Sequence, residues 1–426
     1  MSRTFRSLHV RNYRVYAMGS LVSNVGTWLQ STAQAWLVLV LTGSGVALGV
    51  TVALQLLPSL LFSPLGGLVA DRFPKRATLT WLQVAMAVPA GALGVLAYLE
   101  IAQLWHVYAL VVVFGMARAF EAPVRQAFVA EMVETRDLAN AVSLNSASFN
   151  SARLIGPALA GVMIAALGSG ERATGAVIII NAVSYLASVI ALLMLDADTL
   201  RPTPLVARRS GAIREGVRYV RLRPDLVLVL TIAFFLGAFG MNFQITSALM
   251  ATEVFGYGAG EFGVLGSVLA IGSLAGALLA ARRARPRLRV VIVAALGFAA
   301  VQLASGLMPP YWMYAAVLPL LGITLLTTMT TVNAFVQLTT DPSVRGRVAS
   351  LYLMVVLGSV PFGAPVIGYI AEHAGARWAL VLSGLLTGVG IAATAGWYVL
   401  RDRRSGNPRQ IVLMPARLNR LRPARR

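Results

Sequence analysis

A backbone inside hydrocarbon has no water to bond, so only helices and closed barrels cross a membrane. This chain is built from apolar runs of about 20–27 residues, parted by short charged or Gly/Pro-rich turns. At about 1.5 Å per residue each run spans a core of about 30 Å, whereas barrel strands alternate over about 10 residues. The chain therefore reads as helical and polytopic. Its composition agrees: 58% of the 426 residues are hydrophobic and 12% charged, against about 25% charged in soluble domains.

Several functions are excluded by what is missing. Without cysteine there is no thiolate nucleophile, disulfide or Cys-ligated metal. His9, His106 and His373 lie far apart, outside any metal-binding spacing. The single lysine, Lys75, follows Pro74 rather than a glycine-rich turn, so no nucleotide-phosphate loop exists. No nucleophile–base constellation appears either. The chain reads as a non-enzyme without cofactor or metal, and as a monomer.

Twelve spans are expected, beginning near Tyr16, Val46, Ala77, Trp105, Asn140, Thr174, Asp225, Glu261, Leu288, Tyr311, Val348 and Arg377. The first run is full length and lacks a clear cleavage site, so it reads as a retained span. The long stretch 196–224 divides the chain into six-helix bundles at 1–195 and 225–400, followed by a basic tail, 401–426. The expected fold is an all-α membrane protein of two pseudo-symmetric bundles. An internal echo supports the halving: Gln126–Gly161 and Gln337–Gly368 each run through a charged turn into a Gly/Pro-containing span. Parallel repeats of this kind occur in a class of transporters with midplane sites.

Every basic residue except Arg153, Arg172 and Arg377 falls on the side of the N-terminus, which places both termini in the cytoplasm of a cell membrane. The net charge of +20 thus reflects topology. No soluble stretch is long enough to supply a nucleic-acid face. The tail is read either as lying on anionic lipid headgroups or as disordered. Within 196–224, Ser210–Arg223 places Ile213, Val217 and Val220 at helical spacing between arginines, as an interfacial amphipathic helix or a solvated linker would.

Polar residues at membrane depth point inward. Span one carries Asn24, Thr27, Ser31 and Gln34 on one stripe, with Gln30 beside them; span seven carries Asn242 and Thr246; span ten carries Thr324, Thr327, Thr328 and Thr331. With Arg118 of span four these are the candidate cavity residues. Hydroxyls that bond carbonyls of their own helix are the alternative for each threonine. Arg118, Glu121 and Arg153 are the sharpest case, because a mid-span guanidinium costs about 2.5–3.5 kcal/mol. Either Glu121 exchanges a proton while an arginine holds substrate or carboxylate, or the three form a fixed network.

The turn after span two reads Gly66-Gly67-Leu68-Val69-Ala70-Asp71-Arg72-Phe73-Pro74-Lys75-Arg76. It resembles the signature loop of the major facilitator superfamily, with Pro74 where glycine is usual. The resemblance implies that Gly67, Asp71, Arg72, Lys75 and Arg76 form a cytoplasmic gate. The second-half counterpart, Gly276 to Arg282, lacks the acid. Span five, Ala152 to Gly161, is similar to the superfamily's antiporter motif and implies a bend at Gly156, Pro157 and Gly161 against span eight, where Gly272 and Gly276 stand at G-x-x-x-G spacing. Arg118 fits the superfamily's membrane arginine, though Glu121 and Ala122 depart from its usual Gln-Gly. The segments R-A-F-E-A-P-V-R-Q-A-F, R-E-G-V-R-Y-V and R-G-R-V-A-S-L-Y resemble the branch of siderophore exporters, such as those for enterobactin, and macrolide efflux proteins. That branch implies proton-driven export of a small amphipathic molecule. Uptake or lipid translocation by the same fold, and a non-transporting sensor or scaffold, stay open at this point.

Overall fold

The computed structural model describes residues 3–201, 212–282, 286–341 and 344–404. Among them there is no strand, and helices begin within a few residues of the expected positions. They are α1 (Arg11–Thr42), α2 (Gly45–Arg72), α3 (Lys75–Tyr98), α4 (Leu104–Met132), α5 (Thr135–Ala166) and α6 (Glu171–Leu193). The short α7 (Ala212–Arg221) follows, then α8 (Pro224–Val254), α9 (Ala259–Ala281), α10 (Leu288–Gly306), α11 (Tyr311–Thr339), α12 (Arg345–Ala374) and α13 (Ala376–Arg404). Eleven of these are long and apolar enough to cross a membrane; α1 matches them in length, but its polar stripe lowers its hydropathy.

Packing repeats with an offset of six long helices. In the first group α2 lies on α4 and α3 on α6; in the second, α9 lies on α11 and α10 on α13. The groups meet through two equivalent seams, α2 on α12 and α5 on α9. This is the spatial form of the echo in the sequence. α8 departs from its counterpart α1 by widening into π turns at Leu236–Gly240 and Met250–Val254. Such turns free backbone groups, and the Asn242 amide donates to the Ala238 carbonyl at 2.6 Å inside the break.

Both seams lie toward the end holding the α1–α2 turn. There the backbones almost touch: a methyl added at Gly161 of α5 would sit 2.5 Å from the Ala259 carbonyl oxygen, and one at Gly45 2.8 Å from that of Gly368. Only glycine allows this approach. Glu372 of α12 reinforces it from across the seam, accepting the Val46 amide N–H at 2.9 Å and the Ser44 hydroxyl at the start of α2. Trp36 stacks on Phe262 with centroids 6.4 Å apart. At the opposite end the Lys75–Glu131 ion pair stays within the first group. There α7 docks on the second group: Glu215 pairs with Arg347 at 2.6 Å, and the Tyr219 hydroxyl accepts the Asp341 N–H at 3.3 Å.

Gly161→Val should wedge the α5–α9 seam apart, at about 1–3 kcal/mol if the helices held still. Spin labels on cysteines introduced near Gly43 and Gly256 should report a longer distance than in the parent; an unchanged distance would remove the close approach from the account.

Candidate functional site

Inside the first group, α1, α3, α4, α5 and α6 surround a polar cavity of about 40 Å³. By the roughly 10–15 Å³ of such space a water needs, it holds a carboxylate or a few waters. Its lining includes Asn24, Thr27, Arg118 and Glu121, all expected, together with Ser20, Ser23, Gln83, Arg125, Tyr185 and Ser188. Glu121 pairs one turn along its own helix with Arg125, at 3.2 Å. Arg125 also donates to the Asn24 side chain at 3.3 Å, and Thr27 shares a hydrogen bond with the Tyr185 hydroxyl. Arg153, on α5, lies over the Trp28 ring at 5.5 Å rather than beside Glu121.

A second, smaller cavity of about 10 Å³ lies where the two groups meet, lined by Ser31 and Gln34 of α1, Thr51 and Gln55 of α2, and Gln244 of α8. Gln244 donates to the Ser31 hydroxyl across the boundary. Gln30 instead accepts from Asn181 of α6 within the first group.

The remaining candidates hold backbone. Thr324, Thr328 and Thr331 bond carbonyls one turn back, and Thr327 donates to the Gly276 carbonyl on α9 at 3.2 Å. α11 lines neither of these two cavities. Thr246 bonds the Asn242 carbonyl, and both residues are buried. Gly272 and Gly276, expected against α5, pack on Pro319 and Ile323 of α11. α9 meets α5 instead through Ala259, Gly260, Gly263, Gly266 and Ser267.

Ser267 was not legible from the sequence. Pro157 interrupts the ladder of α5, and beside it Ser267 Oγ donates to the Leu154 carbonyl at 2.5 Å and accepts the Ala158 N–H at 3.2 Å. The hydroxyl of one group thus fills the opening in a helix of the other. Gly156, next to it, abuts Trp28 of α1.

At the far end, Lys75 pairs with Glu131 of α4 at 2.6 Å, and Arg76 donates to the Leu192 and Leu193 carbonyls that end α6. Both contacts stay within the first group. Arg72 is exposed. The surroundings of Gly67 and the side chain of Asp71, and residues 202–211 and 405–426 of the linker and tail, lie outside the described residues. Arg125 is a cavity residue that charge counting places in a cytoplasmic turn; its i+4 spacing from Glu121 is the available signal.

The profile of the transmembrane secretion effector family, within the major facilitator superfamily, matches residues 2–408. The chain belongs to this family. It is therefore a multi-pass membrane transporter and not an enzyme. It is 25% identical to the Staphyloferrin A transporter of Staphylococcus aureus over 62% of this chain and 66% of that one, so this match spans just under two thirds of the relative. It is also 25% identical to the multidrug efflux pump Tap of Mycolicibacterium fortuitum, over 87% and 92%. The crystal structure of a bacterial homologue of the human lysosomal transporter Spinster, in an inward-facing and occupied conformation, superposes with a TM-score of 0.72 at 14% identity over 95% and 98% of the two chains. The transporter fold is shared at that identity; the site is this chain's own.

Ser267→Ala should loosen the α5–α9 seam by about 1 kcal/mol, roughly fivefold in the population of the separated state. Double electron–electron resonance between labels on α5 and α9 reads that population, and an unchanged distribution would reduce Ser267 to a packing residue.

Proposed function

We propose that this transporter exports a small amphipathic molecule from the cytoplasm by alternating access, with a proton bound and released at Glu121. The observation that carries the reading is the one-ended seam. α2–α12 and α5–α9 contact closes the molecule toward the α1–α2 turn, while at the other end the Lys75–Glu131 and Glu215–Arg347 pairs each stay on one side. With both termini cytoplasmic, as the arginine asymmetry favours, this is an inward-open arrangement with α1 as the twelfth span. The bundles 1–195 and 225–400 rock about the seam, and Asp71, Arg72 and Arg76 close the cytoplasmic side in the alternate state. Lys75 and Gly67 hold the loop that carries them. Export is further supported by relatives named for efflux.

Glu121 suits the proton role by position. It is buried, lines the polar cavity and, among the described residues, has Arg125 as its ion-pair partner. Protonation cancels that pair and frees a guanidinium inside the membrane, a large local change with no requirement for long-range motion.

Glu121→Gln should leave the protein folded yet remove the dependence of efflux on a pH gradient in proteoliposomes. Gradient-dependent flux equal to that of the parent would end this assignment. Asp71→Asn should slow cycling several-fold at unchanged substrate affinity, a split visible as lower maximal flux with constant half-saturation. Cysteines introduced at Gly43 and at Phe73 should react with an impermeant maleimide from outside and from inside respectively; the reverse would invert the topology.

A further inference from the structure

The charges around the first cavity do not balance. From α4 come Arg118, Arg125 and one carboxylate, Glu121. α1 offers Ser20, Ser23, Asn24 and Thr27, α3 offers Gln83 and Met86, α5 offers Phe149, and α6 offers Tyr185 and Ser188. None of these is acidic, and Tyr16 behind Arg125 is neutral as well. Glu121 is engaged by Arg125. Arg118 therefore lines the cavity with no ion pair or hydrogen bond among the described residues. Arg153, one helix over, stacks on Trp28, whose edge meets Phe149 at 5.7 Å; it too lacks a carboxylate.

Arg118 sits 14 residues into the 29-residue α4 and Arg153 18 residues into the 32-residue α5, so both stand near mid-depth. Bare guanidinium is disfavoured there, and a planar, five-donor group with an open face suits a carboxylate. A second feature points the same way. Gln83, 7% exposed, lines the cavity with a buried side-chain oxygen that has no partner. Turned about its amide axis, this side chain presents its N–H₂ to the same space.

We propose that Arg118, assisted by Gln83 and the neighbouring serine hydroxyls, binds a carboxylate of the transported molecule, so that the substrate class is an amphipathic organic anion. The assignment rests on the transporter reading and adds the sign of the cargo. The cavity takes the anionic head, since its volume admits no larger group, and the body of the molecule extends toward the opening between the bundles. One monocarboxylate brings Arg118, Arg125 and Glu121 to net neutrality, which favours closure around it. Protonation of Glu121 by solvent releases Arg125 and adds a second guanidinium facing the same anion. Anion and proton therefore strengthen each other's binding when both reach the site, and an interior-negative membrane potential supplies the outward drive on an anion that leaves without the proton.

The test uses three probes of one shape on the full-length protein in uncharged phosphatidylcholine nanodiscs: benzoate, benzylammonium and benzyl alcohol, followed by thermal shift and by competition with a transported compound. Benzoate should bind, more tightly as pH falls. Arg118→Gln should weaken it tenfold or more, Arg118→Lys should restore part of that, and Glu121→Gln should bind benzoate at least as well as the parent with no pH dependence. Equal binding of the three probes, preference for benzylammonium, or benzoate binding indifferent to Arg118→Gln in a protein of parental melting temperature would overturn the proposal. Efflux of panel compounds without benzoate binding sinks the anion assignment and leaves the transporter reading standing. Benzoate binding without efflux of anything does the opposite.

Discussion

Everything in this molecule follows from the absence of solvent hydrogen bonds at membrane depth. A carbonyl or hydroxyl there must find its partner inside the chain. The threonines of α11 turn back on their own helix or reach Gly276, Asn242 fills the break that the π turn opens in α8, and Arg76 ends α6 with its guanidinium. Polar side chains that look like a wet stripe in the sequence are for the most part servants of the backbone. Those not so occupied gather around the first cavity and at the boundary cavity of Ser31, Gln34 and Gln244. The same constraint makes Arg118 and Arg153 informative, because a charged guanidinium at that depth without an acid is costly.

The two seams are the joint about which the proposed rocking turns. α2 on α12 and α5 on α9 are related by the internal symmetry, yet their details differ. One carries the Glu372 carboxylate over the start of α2, the other the Ser267 hydroxyl in the opening beside Pro157. Each is one side chain making two hydrogen bonds in a field of glycine and alanine. A contact of that kind contributes about 1 kcal/mol and orients the helices, without locking them. Rocking needs interfaces of this strength. A seam of buried ion pairs would hold one state too firmly, and purely apolar packing in lipid lacks direction.

Fold class was legible because run length, Gly/Pro punctuation and arginine asymmetry are one-dimensional signals. Helix starts followed within a few residues, and the echo around Gly161 and Gly368 marked the six-helix offset. The site was legible only in part. Asn24, Thr27, Arg118 and Glu121 could be found because helical spacing puts them on one side of their own helices. Gln83, Tyr185 and Ser188 could not, since a lone polar residue on α3 or α6 gives no periodic signal until a neighbour supplies the other wall. Arg125 was hidden by its neighbourhood, as a charge close to a helix end is ordinarily topological. Spacing placed Arg153 near Glu121, but α5 turns it toward the Trp28 ring. Gly272 and Gly276 show the converse limit: their spacing revealed a tight helix contact without revealing which helix it served.

Because the halves touch through nearly bare backbone at Gly45, Gly161, Gly263 and Gly368, the joint carries almost no chemical identity. Side chains facing the cavities can then drift through mutation while the moving parts keep their fit. A lineage built on this joint can exchange one cargo for another by a handful of replacements and need not reinvent the motion.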